Sequence, residues 1–139
     1  MKTKVLTWLV LLFLLISCNN SEQESSKILG TWRLSTYKYG EREKQTLPDS
    51  VLRIKLINQT HFTWVQYMSN RKIVSTSAGG SYTLEGENYT ERIDFAGMGM
   101  TPYLGKKQIF KLKFDQNKMY LSGNLSDNLK IEEVWIKLE

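Results

Sequence analysis

The chain has 139 residues, 41% of them hydrophobic and 24% charged, with a formal charge of +5 and one cysteine. That is enough for one domain and not two, and a single cysteine excludes an intramolecular disulfide framework. No Lys/Arg cluster is interleaved with aromatics, so nucleic-acid binding has little support and is not expected.

The N-terminus has the layout of an export signal. Lys2 and Lys4 form a short basic region, residues 5–16 are an apolar run, and Ser17 and Cys18 close it. The run falls short of the ~20 apolar residues of a spanning helix, so a permanent transmembrane segment is not expected. The junction Leu15-Ile16-Ser17-Cys18 resembles the bacterial lipobox. That resemblance implies cleavage before Cys18, a diacylglycerol thioether on its sulfur, and acylation of the new amino group by a chain such as palmitate. Each buried CH₂ contributes ~0.8 kcal/mol, so two or three chains give a stable anchor. Residues 1–17 are thus expected as a lipoprotein signal peptide, and residues 18–26 as the lipidated cysteine and a flexible tether. The tether stretch "NNSEQESS" contains no apolar residue to offset its ordering entropy. Asn19 is not the aspartate that holds lipoproteins at the inner membrane, which favours the outer membrane and leaves its leaflet open. Removing residues 1–17 removes Lys2 and Lys4 and no acid, so 19 basic side chains become 17 against 14 acidic ones.

From Lys27 to Glu139 the dominant signal is period-two alternation of β-branched and aromatic residues between Gly/Asn/Asp punctuation. Eight strands are predicted, over 30–39, 50–58, 60–68, 72–84, 88–97, 106–114, 118–124 and 130–138, with no sustained helical period. Four-residue connections at 85–88 and 115–118 set Leu84 opposite Tyr89, Tyr82 opposite Glu91, Phe114 opposite Met119 and Leu112 opposite Leu121. Gly79-Gly80 is expected as a bulge that bends a long strand and switches its inward parity. Pro48 and Pro102 fall in predicted loops. Eight serial antiparallel strands with no evident edge point to an all-β, single up-and-down barrel, and a two-sheet sandwich is the rival.

Alternation assigns the interior. Phe62, Trp64 and Gln66 share one inward face, Tyr82 and Leu84 a second, Tyr89, Glu91, Ile93 and Phe95 a third, and Phe110, Leu112 and Phe114 a fourth. The opposite faces carry Arg92, Asp94, Lys111 and Lys113. Glu91 breaks the apolar pattern, and a buried carboxylate costs several kcal/mol unless paired or hydrogen-bonded. It is read as a satisfied internal group bonded to Tyr82 or Gln66, as a polar anchor for a ligand headgroup, or as a catalytic base. His61 is the only histidine, so no protein-only zinc site is available and no metal or cofactor is implied. It could share proton transfer with Glu91 only if the two converge. On the last strand Glu133 and Trp135 share one parity, and both parities hold apolar residues. "GMGM" at 97–100 lacks the lysine of a phosphate loop, and Ser50 in "PDSV" is at most a weak O-glycosylation signal.

"ILGTWRL", "THFTWV", "GGSYTLEGENYTE" and "EEVWIKLE" together resemble a group of small bacterial lipocalin-like lipoproteins, and they span nearly all of residues 27–139. The resemblance implies a lipocalin-like β-barrel closed around Gly30 and Trp32. It places Trp135 and Lys137 inward near Trp32, Lys137 standing where lipocalins carry an arginine. A compact cavity is expected, with a small hydrophobic or amphipathic ligand held by Phe62, Trp64, Gln66, Tyr82, Tyr89, Glu91, Phe95 and Phe110, in a monomer anchored to the membrane through Cys18. The alternatives are an enzyme using His61 and Glu91, or an interaction scaffold presenting Met98, Met100 and Tyr103.

Overall fold

Alternating side chains need two environments, and a sheet closed on itself supplies them. The computed structural model describes residues 25–138; the expected signal, Cys18 and most of the tether lie outside the described residues. Residues 25–28 form a single helical turn. The eight strands that follow are β1 (Gly30–Tyr39), β2 (Val51–Ile57), β3 (His61–Met68), β4 (Ile73–Glu85), β5 (Asn88–Ala96), β6 (Lys107–Asp115), β7 (Lys118–Asn124) and β8 (Lys130–Lys137). Each pairs antiparallel with the next, and β8 returns to β1, so the barrel is closed and none of the eight described strands is an edge strand.

The registers expected at both hairpins are present: Leu84 faces Tyr89, Tyr82 faces Glu91, Phe114 faces Met119 and Leu112 faces Leu121. The turns are tighter than four residues, because Glu85 also pairs with Asn88 and Asp115 with Lys118. Each two-residue turn starts at positive φ, 58° at Gly86 and 52° at Gln116. Such left-handed turns match the right-handed strand twist.

The connections divide the barrel into two unlike ends. Residues 58–60, 86–87 and 116–117 close one end, where the described chain also begins and finishes. Residues 40–50, 69–72, 97–106 and 125–129 surround the other, and a 3-10 turn over Thr101–Tyr103 interrupts the loop 97–106. At the tight end Trp32 is 1% exposed and donates its indole N–H to the Ile28 carbonyl at 2.8 Å. Lys137, its ladder neighbour, holds Nζ 5.3 Å over the indole face. Lys137 thus covers the ring by cation–π attraction through an ammonium rather than a planar guanidinium.

The bulge lies where the glycine pair suggested, with a different consequence. Gly79 pairs with Phe95 and Gly80 with Ile93, so the extra residue is Asp94 on β5. Parity therefore switches on β5. Ile93 stays inside at 1% exposure, and Phe95, expected inside, lies on the outer surface at 52%. Its ring covers Gly79, where a Cβ would sit 2.3 Å from it. At Gly80 a Cβ would meet the Arg92 carbonyl at 1.9 Å, which no rotamer change relieves. Gly80→Ala is therefore expected to cost about 3 kcal/mol of stability, read as a lower urea midpoint; an unchanged midpoint would show that the β4–β5 bulge relaxes freely.

Candidate ligand-binding cavity

Strand β2, "VLRIKLI", is turned against its own pattern. Alternation read locally sends Leu52, Ile54 and Leu56 inward and the basic residues out. The ladder does the reverse, because Lys55 lies between Trp32 on β1 and Trp64 on β3, and neighbours across a ladder share a face. Both indoles are core residues. Lys55 is consequently 3% exposed, whereas Leu56 is left 46% exposed.

The buried ammonium finds its partner on the far wall. Lys55 Nζ donates to Glu91 Oε1 at 2.7 Å. It also lies 5.0 Å from the ring centre of Trp135, 5.5 Å from that of Phe62 and 5.9 Å from that of Tyr89. This pairing answers the anomaly that Glu91 posed. Neither expected partner is used: the Tyr82 hydroxyl donates to the Asn58 carbonyl, and Gln66 Oε1 accepts from Arg53.

A second charged cluster lies nearer the mouth. Arg53 donates through Nε and Nη2 to Gln66 Oε1 at 3.1 and 2.6 Å, and through Nη1 to the Tyr39 hydroxyl at 2.6 Å. Tyr39 in turn donates to Glu133 Oε1 at 2.6 Å, and Trp135 Nε1 donates to Glu133 Oε2 at 3.0 Å. The guanidinium lies 5.0 Å over Trp64 and 3.5 Å from Glu133. Burial first, then the adjacent Glu133 carboxylate, raise the Tyr39 phenol far above its ordinary range, so it remains a donor.

Between these clusters and the opposite wall is a cavity of about 240 Å³. Its lining combines the charged Arg53, Lys55, Glu91 and Glu133 with the rings of Trp64, Phe110 and Trp135 and the aliphatic Ile93, Leu121, Leu125 and Ile131. Met100 and Tyr103, from the loop containing the 3-10 turn, form part of its lining at the mouth. That loop is tied down on both flanks, by the Tyr103 hydroxyl to Asp127 Oδ2 at 2.7 Å and by Thr76 Oγ1 to the Met98 carbonyl at 2.7 Å.

Of the expected ligand contacts, Trp64, Glu91 and Phe110 line the cavity. Phe62 and Tyr89 are buried core residues outside its lining, with Tyr82 packed on Tyr89 at 5.3 Å between ring centres. Gln66 holds Arg53 rather than lining the cavity, and Phe95 is outside the barrel. His61 is exposed at the start of β3, with Nδ1 2.7 Å from Thr60 Oγ1, on the parity opposite Phe62 and Trp64. It does not converge with Glu91. Arg53, Lys55, Tyr39 and Gln108 are cavity residues that alternation missed, and Glu133 lines the cavity on the parity it shares with Trp135, which alternation had left open. The signal for Lys55 was available in the short β2–β3 connection, which puts it opposite Trp64. Among the described residues no three His, Cys, Asp or Glu side chains gather to hold a metal ion.

A closed eight-stranded meander with an aromatic interior, a tight end sealed by a covered tryptophan and a cavity at the looped end is a lipocalin-like barrel. The chain belongs to the family described as a domain of unknown function, DUF4488, whose model matches residues 27–139. In fold it is similar to a lipocalin-like protein from Bacteroides uniformis ATCC 8492, at 17% identity and a TM-score of 0.60, covering 81% of this chain and 99% of that one. It is also similar to an uncharacterized protein from Bacteroides eggerthii DSM 20697, at 16% identity and a TM-score of 0.57, covering 78% and 98%. No curated protein matches the sequence.

The Tyr89 hydroxyl is fully buried and makes no well-formed hydrogen bond among the described residues. Burial, and next the Glu91 carboxylate, push its pKa well above the ordinary value. A raised phenol pKa gives stability that is present below the unfolded value of about 10 and is lost as pH rises beyond it, because the unfolded chain releases the proton first. Tyr89→Phe should therefore be equal to or up to about 1 kcal/mol more stable than wild type at neutral pH, with a shallower loss of stability above about pH 10. Urea titrations across that range measure both, and a neutral-pH loss larger than this would mean that the hydroxyl has a partner.

Proposed function

We propose that the protein is a lipid-anchored lipoprotein of the cell envelope whose barrel holds a small amphipathic molecule. The observation that carries the reading is the cavity itself: about 240 Å³ lined by charged, aromatic and aliphatic side chains. Ligand sites combine mostly apolar linings with a few convergent polar groups in this way. A cavity of about 150 Å³ accommodates benzene, so this one suits a body of about ten non-hydrogen atoms. Its polar contacts are Lys55, Arg53 and Glu133 together with Glu91, and its apolar contacts include Trp64, Phe110 and Leu121.

The anchoring half of the proposal rests on the signal layout and on Cys18 at its end, with the outer membrane as the favoured site. The catalytic alternative loses its second group, since His61 faces away and Glu91 is paired with Lys55. The scaffold alternative keeps only part of its loop: Met98 is 84% exposed, whereas Met100 and Tyr103 line the cavity.

The binding half is tested by native mass spectrometry on the chain from residue 18, carrying Cys18→Ser to keep it in solution. A co-purifying small molecule, or uptake from envelope extract, is expected, with loss on Leu121→Trp, which fills the space. A wild type that stays empty after exposure would overturn it. For the anchor, Cys18→Ser in the full-length chain should move the protein from the detergent-extracted membrane fraction to the soluble one; membrane retention would count against lipidation.

A further inference from the structure

Resting on that binding reading, we infer that the cavity selects uncharged ligands, namely compact molecules bearing a hydroxyl, carbonyl or amide oxygen, and rejects carboxylates and amines of the same shape. Four charged side chains reach the cavity, Arg53, Lys55, Glu91 and Glu133, and their charges cancel. The cancellation is local as well as total. Lys55 lies 2.7 Å from Glu91 and Arg53 3.5 Å from Glu133, and all four side chains are largely or wholly buried.

An entering carboxylate would give up its water at a large desolvation cost, and would meet no cation without a carboxylate already beside it. An ammonium meets the reverse difficulty. The indole faces that would receive it are already covered, Trp64 by Arg53 and Trp135 by Lys55, each at 5.0 Å. A neutral oxygen is treated differently. An ammonium has three N–H donors and a guanidinium five. The bonds described use one on Lys55 and three on Arg53, so each retains donors for an acceptor that carries no charge to desolvate. The aliphatic lining residues Ile93, Leu121 and Ile131 then take the ligand body.

The test uses one skeleton in three charge states at pH 7: cyclohexanecarboxamide, cyclohexanecarboxylate and cyclohexylmethylammonium, titrated by calorimetry into the Cys18→Ser chain from residue 18. The amide is expected to bind at least about tenfold more tightly than either ion. An ion that binds as well as the amide, or better, overturns the inference and leaves the binding reading intact, whereas binding of none of the three overturns the binding reading and this inference with it. Glu133→Gln, which leaves Arg53 without its carboxylate, should raise the carboxylate-to-amide affinity ratio at least about tenfold; an unchanged ratio in a folded variant overturns the inference. Should that variant fail to fold, the double replacement Lys55→Met with Glu91→Leu removes a pair without changing net charge. It should weaken the amide and gain nothing for either ion, and undiminished amide binding overturns the inference.

Discussion

The interior of this barrel is organised by the ion pair between Lys55 and Glu91, which joins β2 to β5 across the lumen. Two charges taken out of water cost more than their attraction returns unless their remaining valences are met. Three aromatic faces around the ammonium partly meet them. Such a pair is a weak source of stability but a strong constraint on register. A slip of β2 by one residue would bring Ile54 or Leu56 inside and leave Glu91 buried without a cation. The two tryptophans flanking Lys55 in the ladder act in the same direction, since their large apolar faces fix the inward parity of β1 and β3 and oblige β2 to follow.

The two ends of the barrel divide the remaining tasks. Short turns and Trp32, covered by Lys137, seal one end, so apolar burial there is nearly complete. At the other end the long connections cannot supply ladder bonds, and side chains take over. The Tyr103 to Asp127 bond links loop 97–106 to loop 125–129. Burial, then the hydrogen bond to Asp127, push the Tyr103 pKa up to about 12, and the same bond draws Asp127 below the usual carboxylate range. Both shifts favour the phenol as donor and the carboxylate as acceptor across the neutral range, so the loop stays tied at the mouth.

The strands, their serial antiparallel order and the hairpin registers were legible because each rests on local information: period-two patterning, Gly-containing turns and connection length. Phe95 was misplaced because a bulge needs both strands to be defined. The glycine pair on β4 marked the site, while the extra residue, Asp94, sits on β5, where "RIDF" reads as uninterrupted alternation. Arg53 and Lys55 were missed for a related reason. In "VLRIKLI" the local pattern is a clean amphipathic strand of the wrong hand, and only pairing with Trp32 and Trp64 reverses it. Glu91 was legible as an anomaly, because a lone carboxylate among Tyr89 and Ile93 violates burial rules wherever it sits. Its partner was not, since Lys55 is 36 residues away on the opposite wall.

A void lined by indole and phenyl rings tends to close, because packed interiors reach crystal-like density. Here the charged side chains oppose that closure. Arg53 lies over Trp64 while bound to Gln66 and Tyr39, and Lys55 lies over Trp135, whose indole N–H is bound to Glu133. The rings of Trp64 and Trp135 are thus each held by a cation on the face, and Trp135 by a hydrogen bond at its edge as well. Collapse into the lumen would break these bonds inside a poorly solvated space, where unpaired groups are costly. The network that makes the cavity electrically neutral is therefore also what keeps its walls in place, so the ligand proposed for it would enter a site already formed and lose little binding energy to rearranging it.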